Sequence, residues 1–192
     1  MNSNIIVRKA TLNDIDGIYD VYKQSSEAHP ETLTQYSNEL TKEYITSEVK
    51  NALERGLFLI AYSNNTITGS FKAYTSKYKK LAHIMTNGTF TAMPTYEGKR
   101  SFVLLLKAFL KELSENYKYI YKLEGVPHET NMDLINYYLG FNFVIEGRIK
   151  NKIFNSTTNS FNDEIIISWK NPNFDFNELK KYQEKLQKIY NF

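Results

Sequence analysis

The fold is decided by residues Asn87–Glu112, which read NGTFTAMPTYEGKRSFVLLLKAFLKE. Their first part is rich in Thr and Phe, predicts a strand and ends at Pro94. A short polar turn, Thr95–Arg100, follows. From Ser101 the chain reads SFVLLLKAFLKEL, whose length and helix-forming composition predict a mostly buried helix. A strand, a glycine-containing turn and a helix place backbone N–H groups and partial positive charge where a phosphate can bind.

These residues resemble the signature of the GNAT superfamily of N-acetyltransferases. In that signature an apolar strand ends in V-x-P, and a Q/R-x-x-G-x-G/A turn opens a long helix. Here Ala92-Met93-Pro94 stands at V-x-P, and Glu97–Phe102 occupies the turn. The sequence departs from the signature at three positions, because Glu97 replaces Gln or Arg, and Arg100 and Phe102 replace the two glycines.

The bulk composition is that of an ordinary globular protein. The 192 residues are enough for one domain with a sizeable core and a short appendage. A net charge of +3, with Lys and Arg scattered among Asp and Glu, argues against nucleic acid as the main partner. The absence of Cys excludes disulfides, thiol nucleophiles and thiolate metal sites.

Targeting and membrane signals are weak. The opening MNSNIIVRKA lacks the layout of a signal peptide. The longest apolar run, Phe102–Leu110, contains Lys107 and is too short to span a bilayer. We therefore expect a cytoplasmic protein without a membrane partner. Residues 1–172 are expected to form one domain, and residues 173–192 a helical extension.

Upstream of the decisive stretch, the pattern predicts one strand, two helices and three strands. The expected elements are a strand at Asn4–Arg8, a helix from a cap at Thr11 or Asn13 to about Ser26, a helix at Asn38–Arg55, and strands at Leu57–Tyr62, Thr66–Tyr74 and His83–Met93. Two short pieces resemble the same superfamily: Arg8–Asp14 matches its R-x-A-T-x-x-D opening, and Ile67–Gly69 matches I-x-G in its third strand.

Downstream, the pattern predicts a strand, a short helix, a pair of strands and a final helix. The expected elements are Tyr117–Glu124, Asn131–Tyr138, Phe141–Ile153 with Ile165–Trp169 around a loop at Asn155–Asn162, and a helix after Pro172. The order of elements over residues 4–170 resembles that of GNAT domains. The resemblance implies an α/β fold whose mixed, mostly antiparallel central sheet is flanked by helices, with an extra C-terminal helix.

The resemblance also implies acetyl-CoA as the co-substrate. The backbone N–H groups of Gly98–Phe102 would hold its pyrophosphate, and the backbone of Phe90–Ala92 would bind its pantetheine arm and polarise the thioester. In that family the fourth and fifth strands diverge to admit the arm. The expected cofactor contacts are Phe90, Thr91, Ala92, Glu97, Gly98, Lys99, Arg100, Ser101, Phe102 and Asn131.

The acid that protonates the leaving thiolate has two alternative positions. The family often reads N-x-x-A-I-x-L-Y-E-K-L-G-F, with Tyr as the acid and Asn contacting the carrier. Anchoring on Asn131 places Tyr138 at the Tyr position. Anchoring without gaps on Gly140-Phe141 instead places Glu129 at the Asn position and Asn136 at the Tyr position, so that Tyr137 would have to swing in. We favour Tyr138.

The base that takes the amine's proton is expected at Glu124, a strand-end position where some GNAT proteins keep a carboxylate facing the substrate. His83 and His128 are weaker candidates. The three histidines, His29 included, are too scattered in the sequence to predict a metal site.

Three hypotheses about function therefore remain open. The first is an acetyl-CoA-dependent N-acetyltransferase in which a primary amine of a small molecule or peptide attacks the thioester directly. The second is a GNAT-fold binding or regulatory module that has lost catalysis. The third is an interaction protein whose aromatic surface and C-terminal helix form an interface. A homodimer is compatible with all three.

Overall fold

The computed structural model describes residues 4–30, 33–156 and 158–191 of the chain. Its strands are β1 Ile6–Lys9, β2 Gly56–Ser63, β3 Thr66–Thr75, β4 Ile84–Ala92, β5 Lys122–Gly125, β6 Val144–Asn155 and β7 Ser160–Lys170. They form one seven-stranded sheet in the order β1-β2-β3-β4-β5-β7-β6. Only β4 and β5 run parallel, and every other neighbouring pair in the described ranges is antiparallel. The mixed, mostly antiparallel sheet is therefore confirmed.

Helices cover both faces of this sheet. They are α1 Ile15–Ala28, α2 Lys42–Arg55, α3 Tyr96–Asn116, α4 Met132–Gly140 and α5 Phe176–Tyr190. Successive side chains of a strand point to opposite faces. Leu57 and Leu59 of β2 accordingly pack in one core with α3 and α4, whereas Phe58 and Ile60 pack in a second core with α1 and α2. The sheet thus separates an α1–α2 side from an α3–α4 side.

The extra C-terminal helix is also confirmed. α5 buries Tyr182 and Leu186 in a third, smaller core beside Ala82. The Tyr182 hydroxyl lies 2.8 Å from the Thr75 hydroxyl of β3, and its ring stacks on Tyr119 with 3.9 Å between the centroids. No helix in the described residues combines the length and the apolarity needed to cross a membrane.

The turn predicted at Thr95–Arg100 is helical in all but its first residue. α3 begins at Tyr96 rather than at Ser101. Thr95 caps it, because its hydroxyl accepts from the Gly98 N–H at 3.1 Å and its carbonyl accepts from the Lys99 N–H at 3.1 Å. The threonine cap starts the helix before the glycine, so the glycine does not form a loop.

The strand predicted at Tyr117–Glu124 is wrong over its first five residues, because β5 begins at Lys122. The N–H of Tyr117 donates to the Leu113 carbonyl at 3.1 Å and so ends α3. Tyr119 packs against α5 instead of lying in the sheet. The alternation of aromatic residues here arises from two different packing environments, which a strand pattern cannot distinguish.

The last hairpin is longer than predicted. β6 extends to Asn155 and β7 begins at Ser160, so half of the predicted loop Asn155–Asn162 is strand. These strands expose many side chains, and their polar composition therefore imitates a loop. The second helix begins four residues later than predicted, at Lys42, where the Thr41 hydroxyl accepts from the Tyr44 N–H at 3.1 Å.

A bidentate ion pair closes the connection between β1 and α1. The Arg8 guanidinium donates to both carboxylate oxygens of Asp14, at 2.7 and 2.8 Å. The N–H and the hydroxyl of Thr11 donate to the same carboxylate at 2.8 and 2.9 Å. The Arg8 hydrogen bonds, supported by those of Thr11, lower the pKa of Asp14 to about 2.

We expect Asp14→Asn to destabilise the protein by about 2 kcal/mol at pH 7. The pKa of Asp14 is lower in the folded state than in the unfolded state, so its charged form stabilises the folded protein at any pH above the unfolded-state pKa. This contribution is lost as the pH falls through the folded-state pKa. The difference in free energy of unfolding between wild type and the variant should therefore drop to about half near pH 3. Urea unfolding of both proteins from pH 7 to pH 3 measures it. A difference that stays constant with pH would show that the charge of Asp14 contributes nothing.

Candidate functional site

The sheet opens where β4 and β5 diverge. The two strands pair at only two positions, Ile84 with Lys122 and Met85 with Leu123. Beyond them lies a cavity of about 1050 Å³ that is lined from both sides of the sheet. The divergence expected from the family resemblance is therefore present, and it joins the α1–α2 side to the α3–α4 side.

Eight of the twelve predicted site residues line this cavity: Phe90, Ala92, Gly98, Lys99, Phe102, Glu124, Asn131 and Tyr138. The other four, Thr91, Glu97, Arg100 and Ser101, lie outside its lining. Two of these have a structural partner in β3. The buried Thr91 hydroxyl lies 2.7 Å from that of Ser70, and the buried Ser101 hydroxyl lies 2.8 Å from that of Thr68.

The N-terminus of α3 is packed tightly against the end of β4. A Cβ atom placed on Gly98 would lie 2.0 Å from the Met93 carbonyl oxygen. Glycine is therefore required here for the close approach of two backbones. The N–H groups of Arg100, Ser101 and Phe102 lie beyond the first turn, where N–H groups bond to carbonyls within the helix. Phosphate contacts of Lys99 and Arg100 therefore remain a prediction that concerns their side chains. The backbone N–H nearest the start of the helix is that of Tyr96.

An aromatic wall lines the α3–α4 side of the cavity. The Phe102 ring, which stands at a signature glycine position, packs edge-on against Phe90 at 4.5 Å between centroids. It also contacts Tyr137 at 5.5 Å and Tyr138 at 5.9 Å. Phe102 therefore joins β4 to α4, and it narrows the space that the two signature glycines would leave open.

Tyr138 and Tyr137 differ in burial although they are neighbours on α4. Tyr138 is 9% exposed and Tyr137 is 53% exposed, and both line the cavity. Burial raises the pKa of Tyr138 above its ordinary value. Its hydroxyl therefore keeps its proton at neutral pH, which suits an acid and not a base. Asn131 caps the same helix by accepting from the Leu134 N–H at 3.3 Å.

Glu124 lies on the α1–α2 side of the sheet, because its neighbour Leu123 packs in the α3–α4 core. Its carboxylate is 3.0 Å from the Lys122 ammonium, which is also 2.8 Å from Glu146. The Ser168 hydroxyl donates to Glu146 at 2.6 Å. This network holds Glu124 at the rim of the cavity, with 30% of its side chain exposed.

The histidines occupy separate positions. His128 is buried and lines the cavity beyond β5, and His29 lines it from the end of α1. His83 precedes β4, where its ring lies 6.4 Å from that of Tyr121, and it is not part of the lining. Among the described residues, no group of three or more His, Asp or Glu side chains could hold a metal ion.

The fold also brings together a polar cluster on the α1–α2 side that was not predicted from the sequence. The Lys72 ammonium of β3 forms an ion pair with Glu48 of α2, and the Tyr74 hydroxyl donates to the other Glu48 oxygen at 3.1 Å. Lys72 is 2% exposed and Glu48 8%. These three residues and Tyr44 all line the cavity.

Two signals in the sequence could have revealed this cluster. Lys72 stands in the middle of a strand whose neighbours are apolar or small, and a lysine is almost never fully buried unless it is paired. Glu48 lies on the apolar stripe of α2 between Ile45 and Val49. Burial lowers the pKa of Lys72, and the charge of Glu48 opposes that shift. Burial, and then the charge of Glu48, raise the pKa of Tyr74 to about 12.

Comparison with known proteins identifies the fold. Neither a family model nor a curated protein sequence matches the chain at a significant level. A GNAT-family acetyltransferase from Streptococcus pneumoniae superposes with a TM-score of 0.75 at 18% identity, covering 87% of this chain and 99% of its own.

Two further solved structures contain acetyl-CoA. The protein yncA from Salmonella typhimurium, named as an acetyltransferase, has a TM-score of 0.75 at 14% identity, covering 88% of this chain and 94% of its own. A GNAT superfamily phosphinothricin acetyltransferase from Sinorhizobium meliloti has a TM-score of 0.76 at 13% identity, covering 91% of each chain. The chain therefore has the GNAT fold.

We expect Gly98→Ala to destabilise the protein by about 2 kcal/mol, because the new methyl group would meet the Met93 backbone, which cannot move without shifting β4. Chemical denaturation measures the loss. Gly140→Ala, at the end of α4, is the matched control because no atom lies within 4 Å of its added Cβ. If both variants unfold at the same denaturant concentration as wild type, the close packing at Gly98 does not contribute to stability.

Proposed function

We propose that this chain is an acetyl-CoA-dependent N-acetyltransferase that transfers an acetyl group to a primary amine of a small molecule or a peptide. The proposal is carried by the cavity at the divergence of β4 and β5, which is lined from both sides of the sheet. A carrier that enters from the α3–α4 side and an amine that enters from the α1–α2 side would meet at the sheet. The acetyl-CoA in two solved structures of the same fold supports the choice of co-substrate.

The carrier's phosphates would lie at the N-terminus of α3. The helix dipole and the N–H of Tyr96 offer positive charge there, and the exposed side chain of Lys99 lines the same part of the cavity. The pantetheine arm would then run past Phe90 and Phe102 into the gap beside β4, where a backbone N–H can polarise the thioester carbonyl.

The reaction requires two proton transfers. The neutral amine nitrogen attacks the thioester carbon, the carbon–sulfur bond breaks, and the electron pair leaves with the CoA sulfur. The amine's extra proton goes to a base, for which Glu124 is our candidate, directly or through one water. Tyr138 donates its proton to the leaving thiolate and later recovers one from solvent.

A catalytically inactive binding module is the second candidate. It is favoured by the head of α3, where Thr95 already occupies the Gly98 N–H and Phe102 fills a signature glycine position. Such a protein would bind the carrier, or a related ligand, without releasing thiol in the presence of any amine.

We expect acetyl-CoA to raise the melting temperature. A ligand at about 100 times its Kd stabilises a fold by about 2.7 kcal/mol, which for a domain of this size is roughly 5–10 °C. The measurement is a thermal melt with acetyl-CoA and CoA, with ATP as the control nucleotide, followed by thiol detection over a panel of amines. Absence of any shift at millimolar acetyl-CoA would overturn the proposal, and a shift without thiol release would favour the inactive module.

We expect Tyr138→Phe to lower kcat by about 10²-fold or more with little change in the KM for acetyl-CoA, because it removes the acid and keeps the buried ring. Tyr137→Phe, on the same helix but exposed, should change kcat less than about threefold. Steady-state thiol release measures both. The reverse result would move the acid to Tyr137.

A further inference from the structure

The buried ion pair between Lys72 and Glu48 needs an explanation beyond stability. Moving two charges out of water is unfavourable, and apolar pairs of similar size are often as stable as buried ion pairs. Both side chains also line the cavity instead of being enclosed in the core. A pair in this position is suited to contact whatever enters the cavity from the α1–α2 side.

Lys72 retains hydrogen-bonding capacity. An ammonium group has three N–H donors, and in the described part of the chain Lys72 donates to one acceptor, Glu48. The Tyr74 ring lies 5.0 Å from its nitrogen and gives a cation–π contact. Two N–H donors of a nearly fully buried ammonium thus remain for a ligand in the cavity.

Tyr44 adds a donor to the same cavity, one helical turn before Glu48 on α2. Its hydroxyl accepts from the Gln35 amide at 3.3 Å, and among the described residues its own proton has no acceptor. Burial, and then the charge of Glu48, raise the pKa of Tyr44 to about 12, so that the hydroxyl stays protonated at neutral pH. The donors left in this cluster are therefore complementary to an oxyanion.

Lys72 is close to the expected site of acetyl transfer. It lies opposite Thr89 of β4, one residue before Phe90, whose backbone is our candidate for binding the carrier. Glu124 lies on β5, on the other side of β4. Their neighbours Phe71 and Leu123 both pack in the α3–α4 core, so Lys72 and Glu124 face the same side of the sheet. An acceptor held by Lys72 would therefore lie on the face that carries the candidate base.

We propose that Lys72 and Tyr44 bind a carboxylate of the acceptor, so that the substrate is an amine that also carries a carboxylate, as free amino acids do. This inference rests on the proposed function. Glu48 holds the Lys72 ammonium in place through its ion pair, and its negative charge opposes the incoming carboxylate. The affinity for the acceptor is therefore set by a balance between Lys72 and Glu48.

The experiment compares acceptors that differ only at the carboxylate. L-phenylalanine, L-leucine and L-methionine are each tested with their amides and with the corresponding decarboxylated amines, by thiol release with acetyl-CoA. We expect at least one amino acid to have a KM about tenfold or more below those of its amide and amine, because hydrogen bonds to charged groups contribute that much. Equal KM values within every set would overturn the inference.

Variants test whether the preference for a carboxylate comes from Lys72 and Glu48. Lys72→Met alone leaves the Glu48 carboxylate buried without a counter-charge and should destabilise the protein, so the test uses Lys72→Met with Glu48→Gln. With this double variant, the KM values of the amino acid, its amide and the decarboxylated amine should agree within about threefold. Lys80→Gln, an exposed lysine in the turn before β4, is the control and should retain the preference.

Glu48→Gln alone distinguishes this inference from the alternative that Glu48 binds an ammonium group of the acceptor. This variant leaves the buried Lys72 ammonium without a counter-charge, and a bound carboxylate would restore one, so the amino acid should raise its melting temperature more than the decarboxylated amine does. If Glu48 instead binds an ammonium group of the acceptor, the KM of the decarboxylated amine should rise, and that outcome would overturn the inference.

A binding measurement keeps the inference independent of turnover. Saturation-transfer NMR with the protein and CoA should detect the amino acid and show a weaker signal for its amide, and the double variant should remove that difference. If acetyl-CoA binds but no amine is acetylated, the proposed function fails while this result still supports a carboxylate site. Equal signals for the amino acid and its amide with the wild-type protein would contradict the carboxylate site.

Discussion

The structure depends on the point at which β4 and β5 stop pairing. In the described residues every other neighbouring pair of strands is antiparallel and is paired at four or more positions. The parallel pair has only two paired positions, Ile84 with Lys122 and Met85 with Leu123. Backbone groups beyond that point face a cavity instead of a neighbouring strand. Because the sheet separates two layers of helices, its opening is also where a ligand on one side can reach a ligand on the other. The functional proposals all derive from this single interruption.

The helix that begins beside the opening is held to the sheet by small groups. Gly98 lets the first turn of α3 approach the backbone of Met93, and Ser101 connects the second turn to Thr68 of β3. These contacts fix the direction of the helix dipole toward the cavity. They also explain how the fold tolerates Phe102 at a signature glycine position, because its ring packs against Phe90 and α4 instead of disturbing the helix start.

Two carboxylates, each paired with a lysine, lie on the α1–α2 side of the opening. Glu124 is partly exposed and shares Lys122 with Glu146, whereas Glu48 is buried with Lys72. The first arrangement leaves a carboxylate accessible at the rim, as proton transfer requires. The second leaves an ammonium with unused donors inside, as recognition of an anion requires. The two pairs lie on either side of β4, so an acceptor between them would be oriented by its charges.

The sequence by itself determined the order of the elements, the long helix after Pro94 and the amphipathic C-terminal helix, because local periodicity and helix-forming composition produce them. Tertiary structure decided the rest. The divergence of β4 from β5, the pairing of Lys72 with Glu48 and the burial of Tyr138 rather than Tyr137 depend on residues distant in the chain. A pattern read along the chain shows which face a side chain occupies, but only the packed fold shows what lies opposite that face.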